Sequence, residues 1–425
     1  MTATWPENVS AVPEDSSLMQ AIRLIGVGKN GSKPLPDELI RSCLAELQSG
    51  NTHPLQRGAF WGALMTKGPT PAERQLETLV GRGAFSHPTF FIHKVCPDLP
   101  MGMLPIATKL LKGHTLRVSE AHQLGEYLFR EGGSELFRGL AASILRVRHE
   151  TNDEYLGLME AAKRTFTPGF KTMSCADRPL VQIAEPFDGA DHSFMITPLL
   201  ARYIKSRGYG TVSMVSRSGG PKYTLNAYDL FVHLGCTFAQ SNHELCDDPG
   251  PYGWVVDQKA LSPALDHWVD RRRLLLKRPF LATMEKLLNP CHARILVTSV
   301  FHITYQMKMA ELALLAGFDG VIVMKRGLEG TLAPSTSRAS GILCAVRTAK
   351  GHLFFQHFDT TVPGFQSYKT ESDDVVEALL PDENARLIRK FMTQRVTGNL
   401  DFDNRVRLAE AMLDRGLDWI EKQLD

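Results

Sequence analysis

Apolar positions recur at helical spacing between residues 35 and 79, and they predict three short helices. The second helix is predicted from Pro54 to Lys67, because proline suits a first helical turn and Gly68 favours an end. The third begins at Thr70, whose hydroxyl and the carboxylate of Glu73 have the spacing of a capping box. The first helix is marked by apolar residues on one face: Leu39, Ile40, Cys43, Leu44 and Leu47.

The same pattern returns 81 residues later, at 116–162. Caps, glycines and apolar residues fall at the same helical positions in both segments, which favours an internal duplication over chance amphipathicity. The sequence therefore predicts a helical module present twice, at about 35–80 and 116–162, with a link at 86–103. The matched positions are Leu55 with Leu136, Arg57 with Arg138, Gly58 with Gly139, Leu64 with Leu145, Thr70 with Thr151, and Glu73 with Glu154.

From residue 176 onward, short apolar runs alternate with amphipathic segments, as in βαβ units on a mainly parallel sheet. The predicted strands lie in PLVQIAEPF, TVSMVS, ARILVTSV, FDGVIVMK, GILCAVRT and HLFFQHF. Ligands bind at the carboxyl ends of such strands. This rule nominates the loops at 185–193, at 216–224, after Val300 and at 325–338.

The chain is therefore predicted to be α/β, with a small all-helical N-terminal domain at 1–175 and a larger domain at 176–425 built on a mainly parallel central sheet. Two amphipathic helices separated at Thr397–Gly398 are expected to cover that sheet.

Composition narrows the class of protein. The formal net charge of +2 provides no overall attraction to nucleic acid or to an anionic membrane. Seven scattered cysteines without a C-x-x-C pair argue against a disulfide framework and a zinc ribbon, and they predict reduced, mostly structural thiols. The first residues do not resemble a signal peptide and no long apolar run follows, so a cytoplasmic location with no membrane partner is expected.

Several segments resemble one known family. LQRGAFWGALMTKGPTPAE resembles the N-terminal helical domain of anthranilate phosphoribosyltransferases and, more widely, of nucleoside-phosphorylase-like pentosyltransferases (glycosyl transferase family 3). The segment 261–290 is similar to the family pattern H-P-A…R-R-x-L-G-x-R-T…G-P-L-T-N-P, and the strand, helix and strand at 295–330 resemble the segment that leads to the family's acidic loop. In 261–290 the matching residues are Pro263, Ala264, Arg272, Arg273, Leu275, Arg278, Asn289 and Pro290.

The resemblance runs from about residue 35 to the end, and the doubled module departs from the usual pattern. It implies a cleft in which a phosphorylated pentose meets its acceptor. It also implies that 262–288 packs back on the helical domain and that the protein forms a homodimer.

The resemblance also implies positions for the site. The family's phosphate loop G-T-G-G-D falls on 187–191, where Gly189 and Asp191 are retained while Phe187 replaces the first glycine and Asp188 adds a negative charge. Glycines let the backbone approach a phosphate, so this loop looks altered or adapted to another use. Hydroxyls near the following helix start remain as Ser193 and Thr197.

Other loops complete the predicted site. The family's acidic pair falls on Glu329 and Gly330, so Glu329 with Asp191 or Asp188 is the implied set of Mg²⁺ ligands. The alternative is a solvated acidic loop. Anion-binding candidates are Arg217, Ser218, Lys222 and Lys325, and Arg272 matches the arginine that contacts anthranilate. No catalytic dyad is evident, and a reaction through an oxocarbenium-like state needs none.

Three functions remain open from the sequence. The first is a divergent pentosyltransferase that uses a phosphorylated ribose and an unknown acceptor and differs from the ordinary tryptophan-pathway enzyme. The second is a non-catalytic paralogue that binds single-stranded nucleic acid, and the third is a scaffold. The second rests on two basic clusters, which could follow phosphates if they lined one groove: Arg271, Arg272, Arg273, Lys277 and Arg278, and Lys325, Arg326 and Arg338.

Overall fold

The computed structural model describes residues 16–28, 31–220, 222–325, 327–336, 340–359, 364–365 and 376–424, apart from the side chain of Lys325. The chain divides into two compact units. The helical unit comprises the described residues up to Glu120, with Gly132–Thr151 and Arg271–Phe280. The sheet unit comprises Ala121–Glu131, Asn152–Asp270 and the described residues from Leu281 onward. The domain boundary at 175 stays a prediction.

Sixteen α-helices and seven strands form in the described residues. In chain order the helices are α1 Ser17–Ile25, α2 Asp37–Ser49, α3 Pro54–Lys67, α4 Pro88–Val95, α5 Leu104–Leu111, α6 Val118–Phe129, α7 Glu135–Arg148, α8 Asn152–Arg164, α9 Thr197–Ser206, α10 Ala227–His233, α11 Gln258–Leu261, α12 Pro263–Leu275, α13 Leu281–Leu287, α14 Gln306–Ala316, α15 Pro381–Gln394 and α16 Leu400–Leu424. The strands are β1 Leu180–Ala184, β2 Gly210–Val215, β3 Trp254–Asp257, β4 Ile295–Val300, β5 Gly320–Lys325, β6 Gly341–Arg347 and β7 Leu353–Phe358.

Helices α3 and α7 pack on each other through glycine in the helical unit. A Cβ atom on Gly58 would lie 1.8 Å from the carbonyl oxygen of Leu136, and one on Gly139 would lie 1.9 Å from that of Leu55. These contacts exchange the two partners of the 81-residue repeat, as an isologous interface does. Both positions need glycine because the two backbones touch there. The exchanged contacts favour the duplication, which stays a prediction.

The ends of α3 follow from local sequence. The Nδ1 atom of His53 accepts a hydrogen bond from the N–H of Leu55 at 3.1 Å, and Pro54 occupies the first turn. The helix ends before Gly68, as predicted. The capping box between Thr70 and Glu73 forms, with N–H to side-chain distances of 2.7 and 3.3 Å. It introduces a 3₁₀ helix at Glu73–Leu79, where the apolar spacing had predicted an ordinary helix.

The seven strands form one sheet in the order β3-β2-β1-β4-β5-β6-β7. The first five strands in this order are parallel, and β6 and β7 add an antiparallel edge. The predicted class, an α/β protein with a mainly parallel sheet, is confirmed. The chain order reverses between β1 and β4, which is the position where open α/β sheets bind ligands.

Both faces of the sheet are covered by apolar contacts, so β1, β2 and β4 are buried along their whole length. The separate C-terminal helices α15 and α16 form as predicted and contribute to this core. The rings of Phe194 and Phe402 lie edge to face there, with centroids 5.3 Å apart.

Three further features of the structure differ from the sequence analysis. The segment 86–103 is not only a link, because it contains α4. Strand β3 was missed. Two of the seven cysteines are joined, since Cys175 and Cys246 form a disulfide with Cα atoms 5.3 Å apart. Folding brings these two thiols together across 71 residues, a proximity that spacing along the chain does not reveal.

No helix among the described residues is both long and apolar enough to span a membrane.

Candidate functional site

The loop after β1 is held by a short backbone pairing. Ala190 and Leu225 form an antiparallel bridge, with N–H to oxygen distances of 2.7 and 3.0 Å. Gly189 has φ +82°, and a Cβ there would lie 2.2 Å from the carbonyl oxygen of Leu225. The glycine is therefore required by the close approach of its own chain, independently of any phosphate.

Three charged side chains meet beside this loop. The Nζ atom of Lys222 lies 3.0 Å from Oδ2 of Asp191 and 2.9 Å from Oε1 of Glu329. The two carboxylates are 138 residues apart in the chain and follow β1 and β5. We call Asp191, Lys222 and Glu329 the charged triad. It unites both predicted metal ligands with one predicted anion-binding lysine.

Backbone and hydroxyl donors fix the two carboxylates. Glu329 Oε2 accepts hydrogen bonds from the N–H groups of Asp191 at 2.6 Å and His192 at 3.2 Å. Asp191 Oδ1 accepts from the hydroxyl of Thr224 at 3.0 Å. Glu329 itself has φ +51°, a left-handed conformation that is rare for a residue with a side chain. The local geometry therefore presents this carboxylate at the cost of some backbone strain.

The triad keeps its charges at neutral pH. Partial burial alone would raise the pKa of Asp191 and of Glu329, but hydrogen bonds and the charge of Lys222 lower both below their ordinary values. The opposing effects of burial and the two carboxylates leave the pKa of Lys222 raised. All three side chains are partly exposed, so a ligand can reach them.

A buried acid that the sequence analysis did not single out lies at the end of β1. Glu185 is 2% exposed, and its Oε2 accepts a hydrogen bond from the N–H of Leu332 at 3.2 Å. Thr197, a predicted phosphate ligand, donates its hydroxyl hydrogen to Oε1 of Glu185 instead. Burial raises the pKa of Glu185 to about 7, although the bond from Thr197 and the charge of Lys286 act in the opposite direction. Its place just after β1 was the one available signal.

The other polar residues of the two loops bond within the sheet unit. The hydroxyl oxygens of Ser193 and Thr331 lie 2.8 Å apart and are buried. Ser218 donates to the carbonyl oxygen of Lys222 at 2.7 Å, which braces the loop that carries the triad lysine. Asp188 is fully buried, so the negative charge predicted at the phosphate position does not face solvent. The two hydrogen bonds brace the loops that carry the triad.

Arg217 is directed toward α12. Its guanidinium lies 2.9 Å from the carboxylate of Asp266 and 2.8 Å from that of Asp270. Hydrogen bonds to Asp270 and Asp266 raise its pKa above the ordinary value. A guanidinium shared by two carboxylates offers little further charge to an anion, so this predicted phosphate ligand joins its loop to the helix.

The basic clusters are mostly not free surface. In the helical unit, Arg271 forms a bidentate ion pair with Glu135 at 2.8–3.2 Å, and both Arg271 and Arg272 are buried. Arg273 is exposed. Lys325 ends β5, and its side chain lies outside the described part of the chain, as do Arg326 and Arg338.

Leu276 falls on the glycine of the family pattern R-R-x-L-G-x-R-T and has φ +58°. The backbone thus keeps the left-handed turn for which the pattern uses glycine.

The carboxylates of the charged triad could hold a metal ion only with help from other ligands. No group of three or more histidine, cysteine or acidic side chains in the described residues could hold a metal ion. Asp191 and Glu329 supply two carboxylates, which is enough for Mg²⁺ when substrate phosphates complete the shell. Lys222 now lies between them, so a metal ion would have to displace its ammonium group.

Comparisons with known proteins agree with this fold. The structure of anthranilate phosphoribosyltransferase from Saccharomyces cerevisiae in complex with PRPP and Mg aligns with 77% of this chain and 90% of its own, at 14% identity and a TM-score of 0.58. The enzyme from Thermus thermophilus aligns with 74% of this chain and 98% of its own, at 18% identity and a TM-score of 0.52. The expected structural resemblance is confirmed.

Comparison of amino-acid sequences matches a smaller part of the chain. An uncharacterized protein of Aquifex aeolicus (strain VF5) is 26% identical over 223 residues, which is 52% of this chain and 66% of that protein. The matched part therefore spans just under two thirds of that relative. No protein-family model matches the chain.

Proposed function

We propose that this chain, which has the fold of the anthranilate phosphoribosyltransferases, binds a phosphorylated ribose at the charged triad and transfers its pentosyl group to an acceptor. The observation that carries the proposal is that Asp191 and Glu329, which follow β1 and β5, both contact the ammonium group of Lys222. The solved yeast enzyme with this fold contains PRPP and Mg.

Lys222 is the residue assigned to the donor's phosphate. Its ammonium group is partly exposed and carries two carboxylate contacts. When bound, Mg²⁺ would be held by Asp191 and Glu329 and would neutralise the diphosphate. The lysine released from the carboxylates would then be free to contact phosphate oxygens.

The proposed reaction needs no nucleophilic side chain from the chain. The bond from the anomeric carbon to the diphosphate oxygen breaks, and the electron pair leaves with the diphosphate. An acceptor's lone pair forms the new bond to the same carbon, and the acceptor gives up its proton. The residues act by holding the leaving group, which is an electrostatic contribution.

The altered loop argues for a donor site unlike that of the solved enzymes. Gly189 is packed against the backbone of Leu225. Phe187 is buried at the position where the family's phosphate loop has its first glycine. Fewer backbone N–H groups are then available to surround a diphosphate, so the triad has to supply more of the binding. This supports a divergent substrate in place of the tryptophan-pathway one.

Nucleic-acid binding is the weaker alternative. The pairing of Arg271 with Glu135 and the burial of Arg272 remove two of the five cations of the first basic cluster from solvent. Nucleic-acid binding would therefore require the remaining cations to form a groove by themselves.

Calorimetric titration with phosphoribosyl diphosphate, with and without Mg²⁺, tests the proposed function. We expect binding that depends on Mg²⁺ and weakens at least about tenfold in Asp191→Asn and Glu329→Gln, since each change removes one charged ligand. Asp248→Asn is the matched control, because that carboxylate contacts Lys205 and lies outside the triad. Absence of binding, or equal binding in all variants, would refute the donor assignment.

A further inference from the structure

A shallow pocket in the helical unit is lined by one face of α1, the C-terminal half of α7 and the segment after α12. Its polar residues are Ser143, Arg146 and Lys277, and no carboxylate of the described residues lines it. The remaining lining is apolar or glycine: Ile22, Gly26, Ala142, Leu275 and Pro279. We call this the Arg146 pocket.

Two cations, Arg146 and Lys277, line this pocket, and a third, Arg23, lies near enough on α1 to act on Lys277. Burial, together with the positive charges of Arg146 and Arg23, lowers the pKa of Lys277. Within the described part of the chain, Arg23, Arg146 and Lys277 make no ion pair, and the buried Nε atom of Arg146 has no hydrogen-bond partner. Like charges held together this way repel one another unless an anion lies between them.

Surface lysines and arginines usually extend separately into water, and two features distinguish this cluster from that ordinary case. First, a buried guanidinium nitrogen without an acceptor has lost its hydration, a cost that a bound acceptor would remove. Second, the helix does not need a cation at this position. The residue that matches Arg146 in the first copy of the module, 81 positions earlier, is Met65 at the same turn of α3.

The hydroxyl of Ser143 supplies a fourth group. It makes no hydrogen bond within the described residues and lines the pocket one helical turn before Arg146. A hydroxyl donor beside a guanidinium and an ammonium matches the oxygens of a tetrahedral dianion better than those of a flat carboxylate.

We propose that the Arg146 pocket binds a phosphate group, either as inorganic phosphate or as the phosphate of a small monoester. Arg146 and Lys277 contact its oxygens, Ser143 donates to a third, and Arg23 adds charge from α1. The pocket is too small to enclose a phosphate, so the anion lies at its open mouth and the rest of a monoester remains in solvent. None of its residues belongs to the charged triad or to the sheet unit.

Calorimetric titration of the whole protein with inorganic phosphate and with methyl phosphate tests the site. We expect millimolar or tighter binding of phosphate that weakens at least about tenfold in Arg146→Met and in Lys277→Ala, since each removes a charge-assisted contact. Arg146→Met reproduces the residue of the first copy, so it should fold. Lys112→Ala removes an exposed cation of the same unit and is the matched control.

The two ligands distinguish the sources of the phosphate. Methyl phosphate binding as well as inorganic phosphate assigns a monoester site, and binding of inorganic phosphate alone assigns a free-ion site. NMR titration of Lys277 adds a readout that stability does not move, because bound phosphate should raise its lowered pKa. No binding at tens of millimolar phosphate, or the same affinity in Arg146→Met, Lys277→Ala and Lys112→Ala, would overturn the proposal.

Discussion

Glu185→Gln should make the protein more stable at alkaline pH and leave it unchanged in acid. Burial raises the pKa of Glu185 from 4.5 to about 7. The folded state therefore holds a proton that the unfolded chain releases, and the resulting stability is complete below pH 4.5 and lost by about pH 7. A rise of this size corresponds to about 3 kcal/mol.

Glutamine keeps the shape and the contacts without the charge. Its amide oxygen can accept from the N–H of Leu332, and its NH₂ group can donate to the hydroxyl of Thr197, which accepts as well as donates. At pH 8 the variant avoids burying a carboxylate, so it should exceed the wild type by about 3 kcal/mol. At pH 4 the two proteins should unfold at the same urea concentration.

Urea unfolding at intervals from pH 4 to pH 8 measures this difference. Asp257 also has a pKa raised by burial, to about 6, so the wild type loses further stability from that group over a lower range of pH. Asp257→Asn is the control that removes only this second contribution. A Glu185→Gln difference that is the same at every pH would refute the reasoning, because a packing effect has no proton dependence.

Variants at three further features are tested by urea or thermal unfolding. Gly58→Ala and Gly139→Ala should each destabilise by roughly 2–4 kcal/mol, and by similar amounts, because the new methyl group meets a carbonyl oxygen of the facing helix; loss in only one variant would contradict the exchanged contacts. Lys222→Met should cost roughly 1–2 kcal/mol at pH 7 and less at pH 4, where protonation relieves the facing carboxylates; an equal cost at both pH values would contradict it. Leu276→Gly should stabilise by roughly 0.5 kcal/mol through relief of its positive φ, whereas Leu276→Ala should not.

Much of the fold is readable from local patterns. The bounds of α3 follow from a proline, a glycine and four apolar turns, and the sheet follows from apolar runs between helices. Strand β3 was not predicted, because its four residues, Trp254–Asp257, are too few to show an alternation of apolar and polar side chains. The Cys175–Cys246 disulfide escaped for another reason, since it depends on where the folded chain places distant loops.

The prediction of the site rests on topology and on the family resemblance more than on composition. The rule that ligands bind at carboxyl ends of strands nominated the loops that carry Asp191 and Glu329, and the family resemblance then paired these two carboxylates as metal ligands. The rule says nothing about which side chains neutralise one another, so the position of Lys222 between the two carboxylates was not foreseen. Nor does a sequence show which glycine serves a ligand and which, like Gly189, serves the backbone.

The packing of α3 on α7 bears on how this protein could assemble. The resemblance implies a homodimer, and an isologous interface is what two identical helices form across a two-fold axis. Here the helices that match across the repeat meet within one chain, at Gly58 and Gly139. That surface is buried within the chain, so it is not available for contact with a second copy. The homodimer that the resemblance implies would therefore have to form through another surface of the chain.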